Sequence, residues 1–458
     1  MKSIYIERSN WARVGINKYF EKTFYYLYVL VSVIIFSPFN ILAYLSPLIF
    51  LFGLILLWPS DKAFRKLLIF LLVAGIVISF YGLIYPHIIF RNAFLSLLTY
   101  SSFIPIIIIP SHMLASEILF HRVLAFNQKL LLLEGILGII QGIYGFFRTG
   151  SFSGTNGDYV EGTLDLGLEP EASFANPMFA VNITFLCLLA LVAVVKFRYR
   201  LYPLIVGALS LILASVVHIL FFLITAVIII LLINFGNLLK NPKVFVTFLL
   251  SIILILSVGF QFIGSNLGQV SHQVIRKPTD NPKALIRHKA FFVIPKEYPA
   301  MPYIGLGPGQ FSSRASLIGS GRYFGGFYSP KFVPLLTPKT SVPMKKFLMP
   351  VWAWSATVQY YGSTQQPFSS WLSVYSEFGF VGSFIIISMV AFLLIKVKLA
   401  RTNSQNILYK LLLQIGILFI FFLGAQENYW EVAQAIFIGL LILKLLYANV
   451  FYSDKHVL

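Results

Sequence analysis

The sequence predicts an all-α protein that crosses a membrane many times. Of its 458 residues, 58% are hydrophobic and only 11% are charged, whereas a soluble globular protein carries about 25% charged residues. Mean hydropathy is +0.83, and apolar runs long enough to span a bilayer recur along the whole chain. This recurrence excludes a soluble domain held by one or two anchors. One long polar interval, 265–376, interrupts the apolar runs.

Hydropathy divides the chain into twelve predicted spans. The apolar run 201–236 fits two short helices with a tight turn near Ser215 or His218. Segment 111–128 is predicted to be an interfacial helix with Leu114, Ile118, Leu119 and Val123 on one face. The predicted spans are 22–38, 40–58, 66–85, 92–110, 129–148, 175–195, 201–217, 218–236, 243–264, 377–397, 407–425 and 431–450.

These spans divide the chain into three regions. Residues 1–264 hold nine transmembrane helices and a small outer loop, 149–174, and residues 377–458 hold the last three helices. Between helices 9 and 10 lies the large extracytoplasmic loop, 265–376.

The distribution of basic residues orients the predicted spans. The net charge of +19 would suggest nucleic acid in a soluble protein, but here much of it lies in short loops that set topology, and we expect no nucleic-acid partner. With twelve spans, the N-terminus and all the basic short loops fall on one side, the cytoplasm. Both termini are then cytoplasmic. The basic short loops are 59–65, 111–129, 196–200, 240–243 and 396–401.

The small outer loop is acidic where it meets the next span. Glu169 and Glu171 flank Pro170 there, and two interpretations stay open. Proline and acids suit the first turn of a helix, while a carboxylate at the membrane surface also suits a general base or a contact to sugar hydroxyls. The loop has no Asp-x-Asp spacing and no histidine, so we expect no metal site.

The large outer loop is basic. From 265 to 375 it carries twelve Lys or Arg residues and two acids. Arg287 and Lys289 precede the glycine turn 305–311, and Arg314 and Arg322 follow it. Arginine binds phosphate through two parallel hydrogen bonds, and glycine lets backbone N–H groups approach an anion. The loop therefore suits a lipid pyrophosphate, although a glycine turn alone is typical of any loop.

The second half of the large loop is rich in aromatic residues. Such residues are expected at a membrane interface, but they also stack on sugar rings. The candidates for a carbohydrate groove are Gln310, Trp352, Trp354, Tyr360 and Tyr361.

Three motifs resemble those of the bacterial O-antigen polymerase and ligase superfamily of integral-membrane glycosyltransferases, and the resemblance covers about 150–390. Glu169–Pro170 ahead of a span is similar to the Glu-Pro-Ser-like element of many polymerases. Arg287 followed by the turn GLGPGQF resembles an Arg…Pro…Gly-x-Gly segment. The third motif consists of Leu372, Glu377, Gly379 and Gly382 at the family's spacing.

The resemblance favours a polymerase over a ligase. Ligases carry a His-Asn pair before the re-entering helix, and Phe368 and Ser369 occupy those positions here. The family's Ser-Arg pair after the middle spans corresponds to the region of Ser215, where His218 is a candidate phosphate ligand.

The resemblance implies a GT-C-like membrane fold in the bacterial inner (plasma) membrane, with the active face extracytoplasmic. It implies transfer of a growing glycan from undecaprenyl pyrophosphate to the next lipid-linked repeat, without a metal or cofactor. Arg287 would stabilise the leaving pyrophosphate, assisted by Arg314, Arg322, Lys289 and His218. Glu169 or Glu171 would be the base, and Glu377 is a further candidate. The partners are lipid-linked glycans in the bilayer and, as an open option, a chain-length regulator.

Two alternatives remain open at this point. A ligase or oligosaccharyltransferase would use the same donor with a different acceptor. A transporter or flippase for a polysaccharide or lipid-linked sugar would also use basic loops and intramembrane polar residues.

Overall fold

The computed structural model describes residues 2–57, 61–85, 88–150, 159–166, 175–197, 199–238, 281–320, 339–357, 368–400 and 407–452. Every regular element in these ranges is helical. The α-helices are α1 (Lys2–Ile35), α2 (Asn40–Leu57), α3 (Asp61–Ile84), α4 (Phe90–Thr99), α5 (Phe103–Ile108), α6 (Glu117–Thr149), α7 (Ala175–Phe197), α8 (Tyr202–Leu213), α9 (Val217–Leu238), α10 (Pro282–His288), α11 (Ile294–Glu297), α12 (Met301–Ile304), α13 (Arg314–Gly319), α14 (Met349–Thr357), α15 (Ser370–Leu399), α16 (Ile407–Gln426) and α17 (Ala433–Tyr452).

Seven helices in the described ranges are long and apolar enough to cross a membrane, namely α3, α6, α7, α9, α15, α16 and α17. Helices α2 and α8 are shorter apolar helices. The prediction of an all-α polytopic membrane protein is confirmed for these residues. The number of spans stays a prediction, because the predicted span 243–264 lies outside the described residues.

The predicted break in the apolar run 201–236 is present. Helix α8 ends at Leu213 and α9 begins at Val217. Between them, Ser215 has φ +52°, a left-handed conformation that costs a non-glycine residue roughly 1–2 kcal/mol. Packing of α8 against α6, and of α9 against α16, offsets this cost. The run therefore forms two helices.

Two other predicted segments are wrong in detail. The span 92–110 is interrupted at 100–102, which separates α4 from α5. The interfacial segment 111–128 is mostly the beginning of the 33-residue helix α6, whose N-cap Ser116 accepts a hydrogen bond from the Leu119 N–H at 3.4 Å. Leu114, Leu119 and Val123 are buried, whereas Ile118 is 60% exposed, so the four residues do not share one face as predicted.

The helix that follows the large loop begins earlier than predicted. Ser369 caps α15, which starts at Ser370 rather than at 377. Gly379 (φ +65°, ψ −160°) is not helical, so α15 consists of a short helix that starts at Ser370 and includes Glu377, and a second helix that follows the kink. A side chain on Gly379 would overlap the backbone of Tyr303, so the kink lets α15 lie directly against α12. This contact joins the large loop to the bundle.

The described part of the small outer loop, 159–166, folds back onto α6. The Glu134 carboxylate accepts hydrogen bonds from the Thr163 N–H at 2.9 Å and the Thr163 hydroxyl at 2.6 Å. Two turns further along α6, the Gln141 side-chain oxygen accepts hydrogen bonds from the N–H groups of Glu161 (2.9 Å) and Gly162 (2.6 Å). Polar side chains on α6 thus accept hydrogen bonds from the backbone N–H groups of a loop that is buried against helices.

Helices α7, α16 and α17 are mostly buried, whereas α3 and α15 expose most of their surface. A second, smaller core belongs to the large loop and includes Ile286, Met301, Phe311 and Leu348. The described part of the large loop is thus a packed unit attached to the end of the bundle where α16 ends and α17 begins.

Candidate functional site

The glycine turn of the large loop is held by Glu377. This fully buried carboxylate accepts hydrogen bonds from the N–H groups of Gly309 (2.6 Å), Phe311 (3.0 Å) and Ser313 (3.3 Å). An ionised acceptor makes such bonds roughly twice as strong as neutral ones. The donors that the sequence suggested for a phosphate are therefore occupied by a side chain of the same protein, and we assign the turn a structural role.

Glycine is required at this turn because the backbones meet without side chains between them. Gly305 and Gly309 have φ of +79° and +72°, in the left-handed region. A Cβ on Gly305 would overlap the backbone of Glu377, and one on Gly309 would overlap the carbonyl of Asn92 in α4. The turn is thus wedged between α4 and α15, which fixes the position of the residues before and after it.

Helix α10 presents two basic side chains to the end of α16. Lys283 and Arg287 lie one turn apart, at positions i and i+4 of one helix face. An Arg287 Nη2 donates to the Ala425 carbonyl at 2.6 Å. The Lys283 Nζ donates to the Gln426 carbonyl and lies 3.2 Å from the Glu427 Oε1. Cations suit the negative end of a helix dipole, so α10 is anchored on the last turn of α16.

The next segment of the loop binds the same connection between α16 and α17. The N–H of Arg314 donates to the Glu431 Oε2 at 2.6 Å, and both residues are buried. The Asn428 side chain donates to the Ser312 carbonyl at 2.9 Å. Both α10 and the start of α13 are therefore bound to residues 427–431 by hydrogen bonds.

These contacts define an acid–base cluster with three basic and three acidic members, whose formal charges balance. Glu427 and Glu431 were not among the site residues predicted from the sequence. The available signal was two acids at i and i+4 in a short linker of an acid-poor chain. The members of the cluster are Lys283, Arg287, Arg314, Glu377, Glu427 and Glu431.

Burial shifts the protonation of the cluster members that lie outside the spans. It raises the pKa of Glu427 to about 7, an effect that nearby Lys283 and Arg314 oppose. Burial, followed by the charge of Glu377, raises the pKa of Glu431 to about 8. Burial lowers the pKa of Lys283 to about 8 and also lowers that of Arg287. The cluster can therefore exchange protons near neutral pH.

Two further predicted phosphate ligands, Lys289 and His218, lie in the described part of the chain. Lys289 directly follows α10 and is partly buried, which lowers its pKa. The His218 Nε2 lies 2.8 Å from the hydroxyl of Tyr429, within the connection between α16 and α17. The structure thus brings His218, from the start of α9, to the edge of the cluster.

Two predicted sugar contacts are buried in structural roles. Gln310 is 2% exposed, and its amide makes hydrogen bonds of 3.1 Å with both the N–H and the carbonyl of Ile89. Trp352 is 4% exposed and packs edge-on against Phe368 at 5.3 Å between ring centroids. Neither side chain is available to a sugar in this arrangement, because each is enclosed by the large loop's own core.

The side chains of several predicted site residues lie outside the described structure. Trp354 lies in α14, but its side chain falls outside the described structure. Glu169, Glu171, Arg322, Tyr360 and Tyr361 also lie outside the described residues.

Within the described ranges, no group of three or more His, Cys, Asp or Glu side chains is arranged to hold a metal ion. Comparison with protein-family models, curated proteins and solved structures finds no match to this chain. The acid–base cluster and the sequence motifs are therefore the basis for a functional proposal.

Proposed function

We propose that the protein is a membrane-embedded glycosyltransferase that polymerises lipid-linked oligosaccharide repeat units of an O-antigen, capsule or exopolysaccharide. The donor is a growing glycan on undecaprenyl pyrophosphate, and the acceptor is the next lipid-linked repeat. The observation that carries the proposal is the convergence of Arg287, Lys283 and Arg314 at one end of the apolar bundle. A lipid pyrophosphate needs cations at such a position, where its prenyl chain can remain among apolar helices.

Arg287 is the member best placed to bind the leaving group. Its side chain is only partly buried, and a hydrogen bond to the Ala425 carbonyl orients it. A guanidinium has five N–H donors in a rigid fork, so the bond to Ala425 leaves donors for a phosphate. Lys289 adds positive charge on the same segment.

The proposed reaction transfers a glycosyl group to a hydroxyl. The acceptor oxygen forms a bond to the anomeric carbon, and the bond from that carbon to the phosphate oxygen breaks. The pyrophosphate leaves with the electron pair, and Arg287 stabilises its developing negative charge. A base takes the hydroxyl proton, and Glu169 or Glu171 remains the proposal for this role. Glu377 is less suited, because both of its oxygens accept backbone hydrogen bonds.

In this proposal the large loop faces the outside of the plasma membrane, where lipid-linked repeats are polymerised. The orientation rests on the basic short loops, which place both termini in the cytoplasm.

Replacement of Arg287 by Ala tests the proposal. We expect polymerisation to fall about 100-fold or more, the usual cost of losing one donor to a developing anion. The matched control is Lys296→Ala, which removes an exposed basic side chain from the same loop. The readout is the length distribution of lipid-linked and finished glycans in cells.

The outcomes separate the alternatives. Single repeats on the carrier with the Arg287→Ala protein, and normal polymer with Lys296→Ala, support a polymerase. Long polymer retained on the carrier indicates a ligase, and repeats trapped on the cytoplasmic face indicate a flippase. Unchanged length and attachment would remove Arg287 from the mechanism.

A further inference from the structure

With all six members ionised, the acid–base cluster carries three positive and three negative charges. A pyrophosphate group brings at least two negative charges into a buried site, where uncompensated charge is expensive. One of the resident carboxylates must therefore move away or be neutralised when the anion binds. The hydrogen bonds of each carboxylate identify which one.

Two of the three carboxylates are committed to backbone donors. Glu377 accepts three N–H groups of the glycine turn, and Glu431 accepts the N–H of Arg314. These bonds hold both carboxyl groups against the backbone of the loop. Glu427 differs, because its described hydrogen bond is to the side chain of Lys283, at 3.2 Å.

The second oxygen of Glu427, Oε2, is buried and accepts no hydrogen bond from the described part of the chain. The residue itself is 1% exposed. Its backbone carbonyl accepts from the N–H of Ser370 at 3.1 Å and from the Ser370 hydroxyl at 3.2 Å, which fixes its position at the start of α15. The carboxyl group therefore cannot retreat into water, and a proton is the remaining means of neutralising it.

Charged and titratable groups face Glu427 from each element packed against it. Lys283 and Arg287 approach from α10, and Arg314 approaches from α13. Tyr429 lies in its own connection, with His218 of α9 behind it. Arg314 also interacts with Glu431, which in turn interacts with Glu377. Burial already raises the pKa of Glu427 to about 7, and an added anion raises it further.

We infer that Glu427 is the resident counter-ion of the pyrophosphate site, and that it takes up a proton when the anion binds. Lys283 is then released from its ion pair to the phosphate, beside Arg287. Glu427 is a positioning residue in this scheme, since it acts through Lys283. The inference rests on the proposed function, because it takes the cluster as the pyrophosphate site.

Infrared difference spectroscopy on the full-length protein in liposomes tests this inference, with inorganic pyrophosphate as the probe. At about pH 8, a carboxyl with a pKa of about 7 is mostly ionised. Addition of pyrophosphate should produce the C=O stretching band of a protonated carboxyl. The band should be lost in Glu427→Gln and return, shifted in frequency, in Glu427→Asp. Lysine and arginine contribute nothing to this band, so it reports the carboxyl alone.

A band that persists in Glu427→Gln, or pyrophosphate binding without any band in the wild type, would overturn the inference while leaving the anion site intact. Absence of pyrophosphate binding to the wild type would overturn both the inference and the proposed site. If Glu427→Gln fails to fold, Glu427→Asp decides alone, since an unshifted band would assign the proton to another carboxyl. The matched control is Glu297→Gln, whose carboxylate pairs with Lys346 at 2.5 Å on the exposed side of the loop and should leave the band unchanged.

Discussion

Removing the Glu377 carboxylate should loosen the glycine turn and destabilise the whole protein. In Glu377→Gln, one amide oxygen can still accept from Phe311 and Ser313, but the amide nitrogen faces the N–H of Gly309 and cannot accept from it. One buried donor is left without a partner, which costs about 1–3 kcal/mol. In Glu377→Ala, three donors lose their acceptor and a cavity forms, so the cost should be at least about 3 kcal/mol.

The assay is reversible unfolding in mixed micelles, combined with hydrogen exchange at the amides of the turn. We expect the free energy of unfolding to fall in the order wild type, Glu377→Gln, Glu377→Ala. Exchange should accelerate at Gly309 alone in the first variant, and at all three amides in the second. Glu297→Gln serves as the control, because an exposed ion pair contributes about 0–1 kcal/mol.

Equal stability of Glu377→Ala and Glu297→Gln, with unchanged exchange at residues 309–313, would refute this account. The Glu377 carboxylate would then be free for another role, such as the catalytic one considered from the sequence.

Three further changes test other parts of the structure. Gly309→Ala should destabilise the protein in the same unfolding assay, because the position has φ +72° and the added Cβ would overlap the Asn92 carbonyl; a neutral result would contradict the packing of the turn on α4. Ser215→Gly should leave stability unchanged or raise it by about 1 kcal/mol, since glycine relieves the left-handed strain, and a marked loss would show that the Ser215 side chain itself supports the break. Because the pKa of Glu431 is raised to about 8 in the folded state, its contribution to stability is fully present below its unfolded value of 4.5 and is lost as pH rises to 8; Glu431→Gln should flatten the fall in melting temperature over that window, and an unchanged slope would assign the fall to other groups.

Hydropathy predicted much of the helical framework because burial in lipid needs long apolar runs. The break at Ser215 followed from length alone, since the run 201–236 exceeds one span. The continuity of α6 was not predicted: segment 111–128 was expected to be a separate interfacial helix, because Arg122 and Lys129 lower the hydropathy of that stretch. No Gly or Pro lies between Ser116 and Glu134, so no helix-breaking residue interrupts the helix after its cap.

The candidate site was predicted in part: Arg287, Arg314 and Glu377 were candidates from the sequence, whereas Lys283, Glu427 and Glu431 were not. The spacing of Lys283 and Arg287 is local, and a basic run in a polar loop is visible in the sequence. Their acidic partner Glu427 lies 144 residues away from Lys283, and no local pattern connects a short linker with a distant loop. The hydrogen bonds from the glycine turn to Glu377 could not be predicted for the same reason, since 68 residues separate the carboxylate from the Gly309 amide.

The anchoring of α10 on the end of α16 also determines when the large loop can dock during synthesis. A ribosome adding about 5–20 residues per second needs roughly 7–30 s to make the 144 residues that separate Lys283 from Glu427. During that interval the large loop has left the ribosome, while its acceptor carbonyls at Ala425 and Gln426 do not yet exist. We therefore expect nascent chains stalled at residue 400 to keep segment 281–320 open to protease, and full-length chains to protect it. The last two helices thus complete assembly, and chains lacking them should be substrates for membrane quality-control proteases.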